Sequence, residues 1–312
     1  MDFWKGMKVL VTGGNGFLGR RICGLLRGHG VEPIIPRKRD HDLISPNATW
    51  KLFEDMNPEM VIHCAATCGG IGLNRVAPGT LFYENIQMGV NVIHMAKLFK
   101  VKKLVMIGTI CEYPKNTPVP FREKDLWNGY PEETNAPYGI AKKALLTMGQ
   151  AYRQEYGLNC IHLMPVNLYG PGDNFDPQSS HVIPALIKKI IDAKIGNHKE
   201  ISCWGTGKAT REFLYVGDAA NGILKAAELY QGAAPINLGA SFEITIGGLA
   251  GLICEIVGFA GKIRFDPSKP DGQPRRSLDS SLAYNEFGWT AETSFEAGLR
   301  KTIEWYLKER AR

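Results

Sequence analysis

The stretch that most restricts how this chain can fold lies near its start. Lys8-Val9-Leu10-Val11-Thr12 is a short apolar run rich in β-branched residues and reads as a buried strand. It runs straight into Gly13-Gly14-Asn15-Gly16-Phe17-Leu18-Gly19, then into an amphipathic stretch that reaches about Arg27. Strand, GxxGxxG turn and helix, in that order, form the context that a dinucleotide pyrophosphate requires. Gly13 permits the tight turn, Gly16 lets backbone approach the phosphates, and Gly19 lets helix pack on strand. The phosphates would sit at the helix N-terminus.

The pattern continues. Further strands are expected at Glu32–Ile35, Met60–Ala66, Lys103–Ile107 and Leu158–Leu163, with helices over 46–57, 81–100 and Pro137 to about Tyr156. Alternation over the first 165 residues predicts an α/β fold of Rossmann type, a doubly wound parallel sheet. Residues 1–6 read as a short extension and Gly69-Gly70-Ile71-Gly72 as a flexible loop; Asn85 and Asn91 read as buried amides. After Pro165 the pattern changes to a turn-rich exit through Pro171. A basic amphipathic helix then opens at His181-Val182-Ile183-Pro184 and carries Lys188 and Lys189. A short strand leads to Trp204-Gly205-Thr206-Gly207, 268–276 reads as a polar, rigid loop, and 294–309 as a closing helix. The expected division is 1–165 for the nucleotide-binding domain and 166–312 for a smaller C-terminal α/β substrate-binding domain, with some chain returning to the first sheet.

The end of the second strand speaks to the cofactor. An NAD site usually shows an acid there for the ribose 2′-hydroxyl. Here the end reads Pro36-Arg37-Lys38-Arg39, cations suited to a 2′-phosphate, so NADP(H) is expected over NAD(H). Asp42 and Leu43 would border the adenine, and Ala65 and Ala66 are small enough for a cofactor to pass.

A second constellation lies in Asn135-Ala136-Pro137-Tyr138-Gly139-Ile140-Ala141-Lys142. Pro137 suits a first helical turn, and Tyr138 and Lys142 then share one helix face. A nearby ammonium favours phenolate, so the pair could exchange a proton with a sugar or alcohol oxygen. Thr109 and Cys111 follow the 103–107 strand at its carboxyl end, where open α/β sheets bind ligands; His63 lies inside an apolar run and reads as core. Lys189, Arg211, Lys269, Arg275 and Arg276, with the aromatic Trp204, are candidates for a nucleotide-sugar's phosphates and base.

Composition narrows the classes. Apolar residues at 44% and charged residues at 22% are those of a globular protein, and a net charge of +6, scattered along the chain, gives little support to nucleic-acid binding. No run approaches the roughly 18 apolar residues of a membrane span. Seven cysteines in no framework spacing, with no signal-like segment, point to reduced thiols in the cytoplasm and to no metal site.

On these residues the chain resembles the extended short-chain dehydrogenase/reductases that act on nucleotide sugars, and among them the GDP-L-fucose synthases. The broad likeness is Gly13 to Gly19 with Tyr138 and Lys142. The specific likeness is Gly69-Gly70-Ile71, Cys111-Glu112-Tyr113-Pro114, Asn167-Leu168-Tyr169-Gly170-Pro171 with Asp173-Asn174-Phe175, Ser180 to Pro184, Trp204 to Gly207, Arg211-Glu212-Phe213-Leu214 and Lys269-Pro270-Asp271-Gly272. The resemblance implies 3,5-epimerisation and 4-keto reduction of GDP-4-keto-6-deoxy-D-mannose with NADPH. It implies that Tyr138 donates a proton to the C4 oxygen, that Lys142 lowers the Tyr138 pKa and bonds the nicotinamide ribose, and that Thr109 stands beside that oxygen. Cys111 and His181 match the epimerisation pair, base and acid in an order left open. Lys189, Trp204 and Arg211 match positions that hold the GDP part, with Lys269 and Asp271 nearby. The cofactor is expected along Gly13, Asn15, Gly16, Phe17, Leu18 and Gly19, then Arg37, Arg39, Asp42 and Leu43, Ala65, Ala66 and Asn85, and finally Lys142, Pro165, Asn167, Leu168 and His181. It implies a homodimer through the helices at 81–100 and 138–156.

Two departures stand out. Thr109-Ile110-Cys111 replaces a frequent Ser-Ser-Cys, and Asn15 stands where many of these enzymes carry arginine near the NADP phosphate; Arg37 to Arg39 and Arg20 are the candidate substitutes. They leave open a relative acting on a dideoxyhexose or heptose. The intact Thr109, Tyr138 and Lys142 argue against a non-catalytic nucleotide sensor.

Overall fold

A computed structural model describes residues 3–176, 179–269 and 271–311. The first half runs β1 (Val9–Thr12), α1 (Phe17–Gly28), α2 (Pro46–Met56), β2 (Met60–His63), α3 (Ile71–Val76), α4 (Pro78–Leu98), β3 (Lys103–Ile107), α5 (Ala136–Tyr156) and β4 (Cys160–Pro165). Then follow β5 (Asn167–Tyr169), α6 (Val182–Ile195), β6 (Glu200–Trp204), β7 (Thr210–Tyr215), α7 (Val216–Leu229), β8 (Ile236–Leu238) and β9 (Glu243–Thr245). The chain ends with α8 (Ile246–Val257), β10 (Lys262–Asp266), β11 (Arg275–Arg276), α9 (Ser281–Phe287) and α10 (Phe295–Arg310).

The central sheet is parallel throughout, in the order β1-β2-β3-β4-β8. Alternate residues feed opposite faces. Val9, Val11, Ile62, Val105 and Ile107 join Ile22 and Leu26 of α1 and Ile223 of α7. Leu10, Val61, Leu104 and Met106 join Leu52 of α2, Val92 of α4 and Leu145 of α5. A sheet covered on both faces needs apolar residues at every strand position, which is why these strands read as short unbroken apolar runs. Ile34 bridges Leu10 on the free side of β1. The chain therefore turns back at β1, and the crevice lies beyond the carboxyl ends of β1 and β2.

A second apolar cluster unites Ile187 and Ile190 of α6, Leu249 and Ile253 of α8, Ile303 of α10 and Cys203 of β6. Around it β6 pairs with β10, and β7 carries β5, β11 and β9. Between these pieces, α7 and β8 return to the central sheet.

Several local expectations change. Glu32–Ile35 forms only the single bridge at Ile34; the next residue facing β1, Pro36, has no N–H to extend the ladder. The last strand of the first half starts later than expected and reaches Pro165; the exit beyond it includes β5. Gly69–Gly72 is not a free loop: Ile71 opens α3, Gly70 N–H donates to Ser179 O at 3.0 Å, and Asn74 Nδ2 donates to Gly69 O and Gly70 O, both at 3.1 Å. In the 1–6 extension, Met1 and Asp2 lie outside the described residues, but Trp4 is a buried core residue packed near His29. Arg275 and Arg276 leave the 268–276 loop to pair with β7; Pro270, within that loop, lies outside the described residues.

Candidate active site

A cavity of about 1750 Å³ runs along the crevice between the sheet and the second cluster. One end is built by the glycine turn. Gly13 has φ +68°, and a Cβ there would lie 2.7 Å from Ala65 N; one at Gly19 would lie 2.2 Å from Gly13 O. The turn is therefore drawn tight against the end of β2, and Gly13, Asn15 and Gly16 line the cavity at the start of α1. Arg37, Lys38, His41, Asp42 and Leu43 line the same end. His41 Nδ1 is buried there with no partner. The glycine cradle and adjoining cations fit a dinucleotide carrying an extra phosphate.

The middle of the cavity carries Thr109, Cys111, Tyr138, Lys142 and His181. Thr109 and Cys111 sit in one tight turn, held by a reciprocal cap: Thr109 Oγ1 accepts from Cys111 N–H at 3.2 Å, and Glu112 Oε1 accepts from Thr109 N–H at 2.8 Å. Glu112 is fully buried and meets His162 Nε2 at 3.0 Å. Helix α5 starts at Ala136 with Pro137 in its first turn. Gly139 fixes its approach, because a Cβ there would lie 2.1 Å from Cys111 O. The residue after the tyrosine thus brings Tyr138 against the cysteine turn.

The electrostatics differ from expectation in one respect. Lys142 was expected to lower the Tyr138 pKa. Instead burial pushes the phenol well above its ordinary range, and Cys68, Cys111 and Glu112 add in the same direction. Lys142 Nζ is 6.0 Å from the Tyr138 ring centre and donates to Ile107 O at 2.9 Å. Burial pushes Lys142 itself down, opposed by Glu112, Cys68 and Cys64. His181 faces the cavity from the residue before α6, and burial pushes its imidazole toward the neutral form.

The far end carries Lys189, Trp204, Arg211 and Asp271. Asp271 accepts from Thr206 N–H and from Thr206 Oγ1, both at 2.7 Å, which locks the Trp204–Gly207 turn. Arg211 donates to Asp271 O at 3.2 Å, and Lys189 to Ser202 O at 2.7 Å. Burial, reinforced by Arg276, pushes Arg211 down to about 10.

Most sequence candidates meet here: Gly13, Asn15, Gly16, Phe17, Leu18, Gly19, Ala65, Ala66, Pro165, Asn167 and Leu168 all line the cavity. Three do not. Asn85 is a buried amide, as is Asn91, but it donates to Thr67 O and Leu81 O instead of facing the cavity. Arg39 pairs with Asp40 at 3.5 Å on the surface, and Lys269 stays exposed off the cavity wall. Arg275 is held by Glu243 at 2.6 Å. His63 is core, as expected, sharing a hydrogen bond with Thr12 Oγ1 at 2.8 Å. Sequence reasoning missed Cys68, His41 and the positioning by Gly139, Glu112 and His162. Only the Tyr-Gly pairing in Tyr138-Gly139 carried a local signal. All seven cysteines are unpaired, and no acidic, His or Cys cluster among the described residues could hold a metal.

Known proteins resemble this chain in sequence and fold. Residues 9–239 match the family described as NAD dependent epimerase/dehydratase. GDP-L-fucose synthase 1 of Arabidopsis thaliana is 41% identical, over 97% of this chain and 94% of its own length. A GDP-L-fucose synthetase from Naegleria fowleri, solved with NADP bound, superposes with a TM-score of 0.88 at 29% identity, covering 98% of this chain and 95% of that one. A GDP-6-OMe-4-keto-L-xylo-heptose reductase from Campylobacter jejuni superposes with a TM-score of 0.90 at 29% identity, covering 97% and 98%. This chain belongs to the NAD dependent epimerase/dehydratase family, alongside the GDP-L-fucose synthases.

Proposed function

We propose that this chain is an NADP(H)-dependent epimerase/reductase that converts GDP-4-keto-6-deoxy-D-mannose to GDP-L-fucose by 3,5-epimerisation and 4-keto reduction. One observation carries the reading: a single cavity joins the glycine turn, the Thr109, Tyr138 and Lys142 set, the Cys111 and His181 pair, and a cationic, aromatic far end. When bound, NADPH supplies the hydride for C4. The glycine turn and the start of α1 would hold its pyrophosphate, Arg37 and Lys38 its 2′-phosphate, and Lys142 the nicotinamide ribose.

Tyr138 gives its phenolic proton to the C4 oxygen. Burial keeps that proton in place until an alkoxide develops beside it. Thr109 Oγ1 uses a lone pair on Cys111 N–H, so its own O–H stays free to donate to the same oxygen. In epimerisation the 4-keto group, adjacent to both C3 and C5, takes up the electron pair as an enolate when either carbon loses its proton. Cys111 and His181 remove the proton and return one to the opposite face. A neutral imidazole can take the proton as base, and the imidazolium so formed can return one. Arg211, Lys189 and Trp204 receive the diphosphate and base. The enzyme works in the cytoplasm as a homodimer paired through α4 and α5.

The deciding experiment is NADPH oxidation with GDP-4-keto-6-deoxymannose, followed by NMR of the product. GDP-L-fucose is the expected product. A D-manno product, unchanged at C3 and C5, would reduce the activity to 4-reduction. The heptose reductase likeness favours a second reading, a GDP-heptose substrate. Oxidation with a 4-keto-heptose but not with the deoxymannose would establish it.

A further inference from the structure

Arg276 Nη2 donates to Cys111 Sγ at 3.4 Å. The arginine lies on β11, paired in register with Arg211 of β7, so backbone hydrogen bonding fixes its place. Its neighbours fasten the strand on both sides: Arg275 is tied to Glu243 at 2.6 Å, and Ser277 O accepts from Phe121 N–H at 2.8 Å. Arg276 lines the cavity, and its Nε is buried without a partner. The guanidinium is therefore held at the sulfur from a paired strand, and its Nε–H has no competing acceptor.

The other charged and titratable groups around Cys111 do not do the same work. From α5 come Tyr138, a phenol that burial keeps protonated, and Lys142, which donates to Ile107 O. From the segment after β2 comes the Cys68 thiol, pushed up by burial. On the cysteine's own turn, Glu112 is occupied by Thr109 N–H and His162. Arg211 on β7 donates to Asp271 O and Thr210 O, and His181, at the start of α6, is driven toward neutrality.

Resting on the epimerase reading, we propose that Arg276 is a positioning residue for epimerisation, which holds the Cys111 sulfur toward the sugar and offsets its charge as thiolate. Whether Cys111 takes the first proton or returns the second, it passes once through the thiolate in each exchange. As base, its lone pair forms the S–H bond while the C–H bond breaks and that electron pair moves to the keto oxygen. As acid, the S–H bond breaks, its proton goes to the carbon of the enolate, and the pair stays on sulfur. Arg276 neither gains nor loses a proton. A guanidinium beside a thiol is the environment in which cysteines react as thiolates.

The test uses the full-length protein in a Cys68→Ser background, since Cys68 shares the cavity. Iodoacetamide labelling of Cys111, mapped by mass spectrometry, is followed against pH for Arg276, Arg276→Met and Arg276→Lys. Deuterium wash-in at C3 and C5 is followed in parallel, and an NADPH titration checks the fold. The proposal expects Arg276→Met to label about tenfold more slowly near pH 7, with the gap closing in alkali. Arg276→Lys should restore most of the rate, and wash-in should follow the labelling. An Arg276→Met profile identical to the parent would overturn it. So would a loss equal at every pH that Lys fails to rescue, which is the mark of a packing role. If the parent protein washes in no deuterium while Arg276→Met still shifts the labelling, the epimerase reading fails and the guanidinium–thiolate pairing survives it.

Discussion

Tyr138 and Lys142 stand on one helix face, yet the lysine does not decide the protonation of the phenol. The ammonium, 6.0 Å from the ring centre, favours phenolate, and enclosure of the phenol opposes it. Burial wins, the more so with Cys68, Cys111 and Glu112 adding negative potential. The sign follows: a raised phenol keeps its proton throughout the neutral range and gives it up only above an ordinary tyrosine's range near pH 10. Reduction that needs this proton should therefore hold steady from pH 6 to 9 as far as Tyr138 is concerned. Tyr138→Phe should lower the rate of 4-keto reduction by about 10²–10⁴-fold, read as single-turnover NADPH oxidation. An NADPH titration separates that loss from misfolding, and a variant that reduces at the parent rate would remove Tyr138 from the mechanism. The pair's spacing was legible in the sequence because a helix turns four residues into neighbours. Its electrostatics were not, because Cys68 and Glu112 reach the phenol only through the fold.

At the scale of elements, legibility follows the range of the interaction. The strand–glycine turn–helix at residues 8–27 and the helix behind Pro137 are set by neighbours in sequence, and both formed as read. The segment around Glu32–Ile35 lost its ladder at Pro36, which the same reading could have weighed. Gly69–Gly72 was misread because its order comes from Ser179, more than a hundred residues on. Gly139 belongs with these long-range cases. Its missing Cβ lets α5 rest on Cys111 O, and a methyl placed 2.1 Å from that oxygen forces helix and turn apart. Overpacking of this kind costs about 1–3 kcal/mol of stability. The larger effect should be on catalysis, because the shift separates Tyr138 from Thr109 and Cys111, and a displacement of about 1 Å can cost 10²-fold. Gly139→Ala should thus lower kcat far more than it lowers Tm, measured by thermal melting beside steady-state assays. A variant with full kcat would show that the contact does not set the geometry.

Over the whole molecule, the two long helices of one sheet face are laid together and leave a common outer surface. Gly89 of α4 admits Leu145 of α5, since a Cβ at Gly89 would lie 2.1 Å from Leu145 Cδ1. Outward from that seam, Ile86 and Val90 on α4 are only half-buried, and Ile140, Ala144, Met148 and Ala151 repeat along the exposed side of α5. Phe82, Tyr83 and Tyr130 stand exposed at one end of this surface. Solvent-facing helix positions normally carry charge, and a contiguous stripe of small and apolar groups on two adjacent helices suits a second copy related by a two-fold axis. Pairing α4 and α5 with their symmetry mates makes a four-helix arrangement. A stable interface of this kind buries on the order of 1,600 Å² in total, an area two helices of this length can supply. The Ala144→Glu and Ala151→Glu double variant places like charges across that axis. It should run as a monomer in sizing experiments with light scattering, where the parent should run as a dimer. The cavity lies on the other side of α5, beyond Tyr138 and Lys142, so the monomer should still bind NADPH. A parent protein that is monomeric at micromolar concentration, or a double variant that still dimerises, would place the interface elsewhere or remove it.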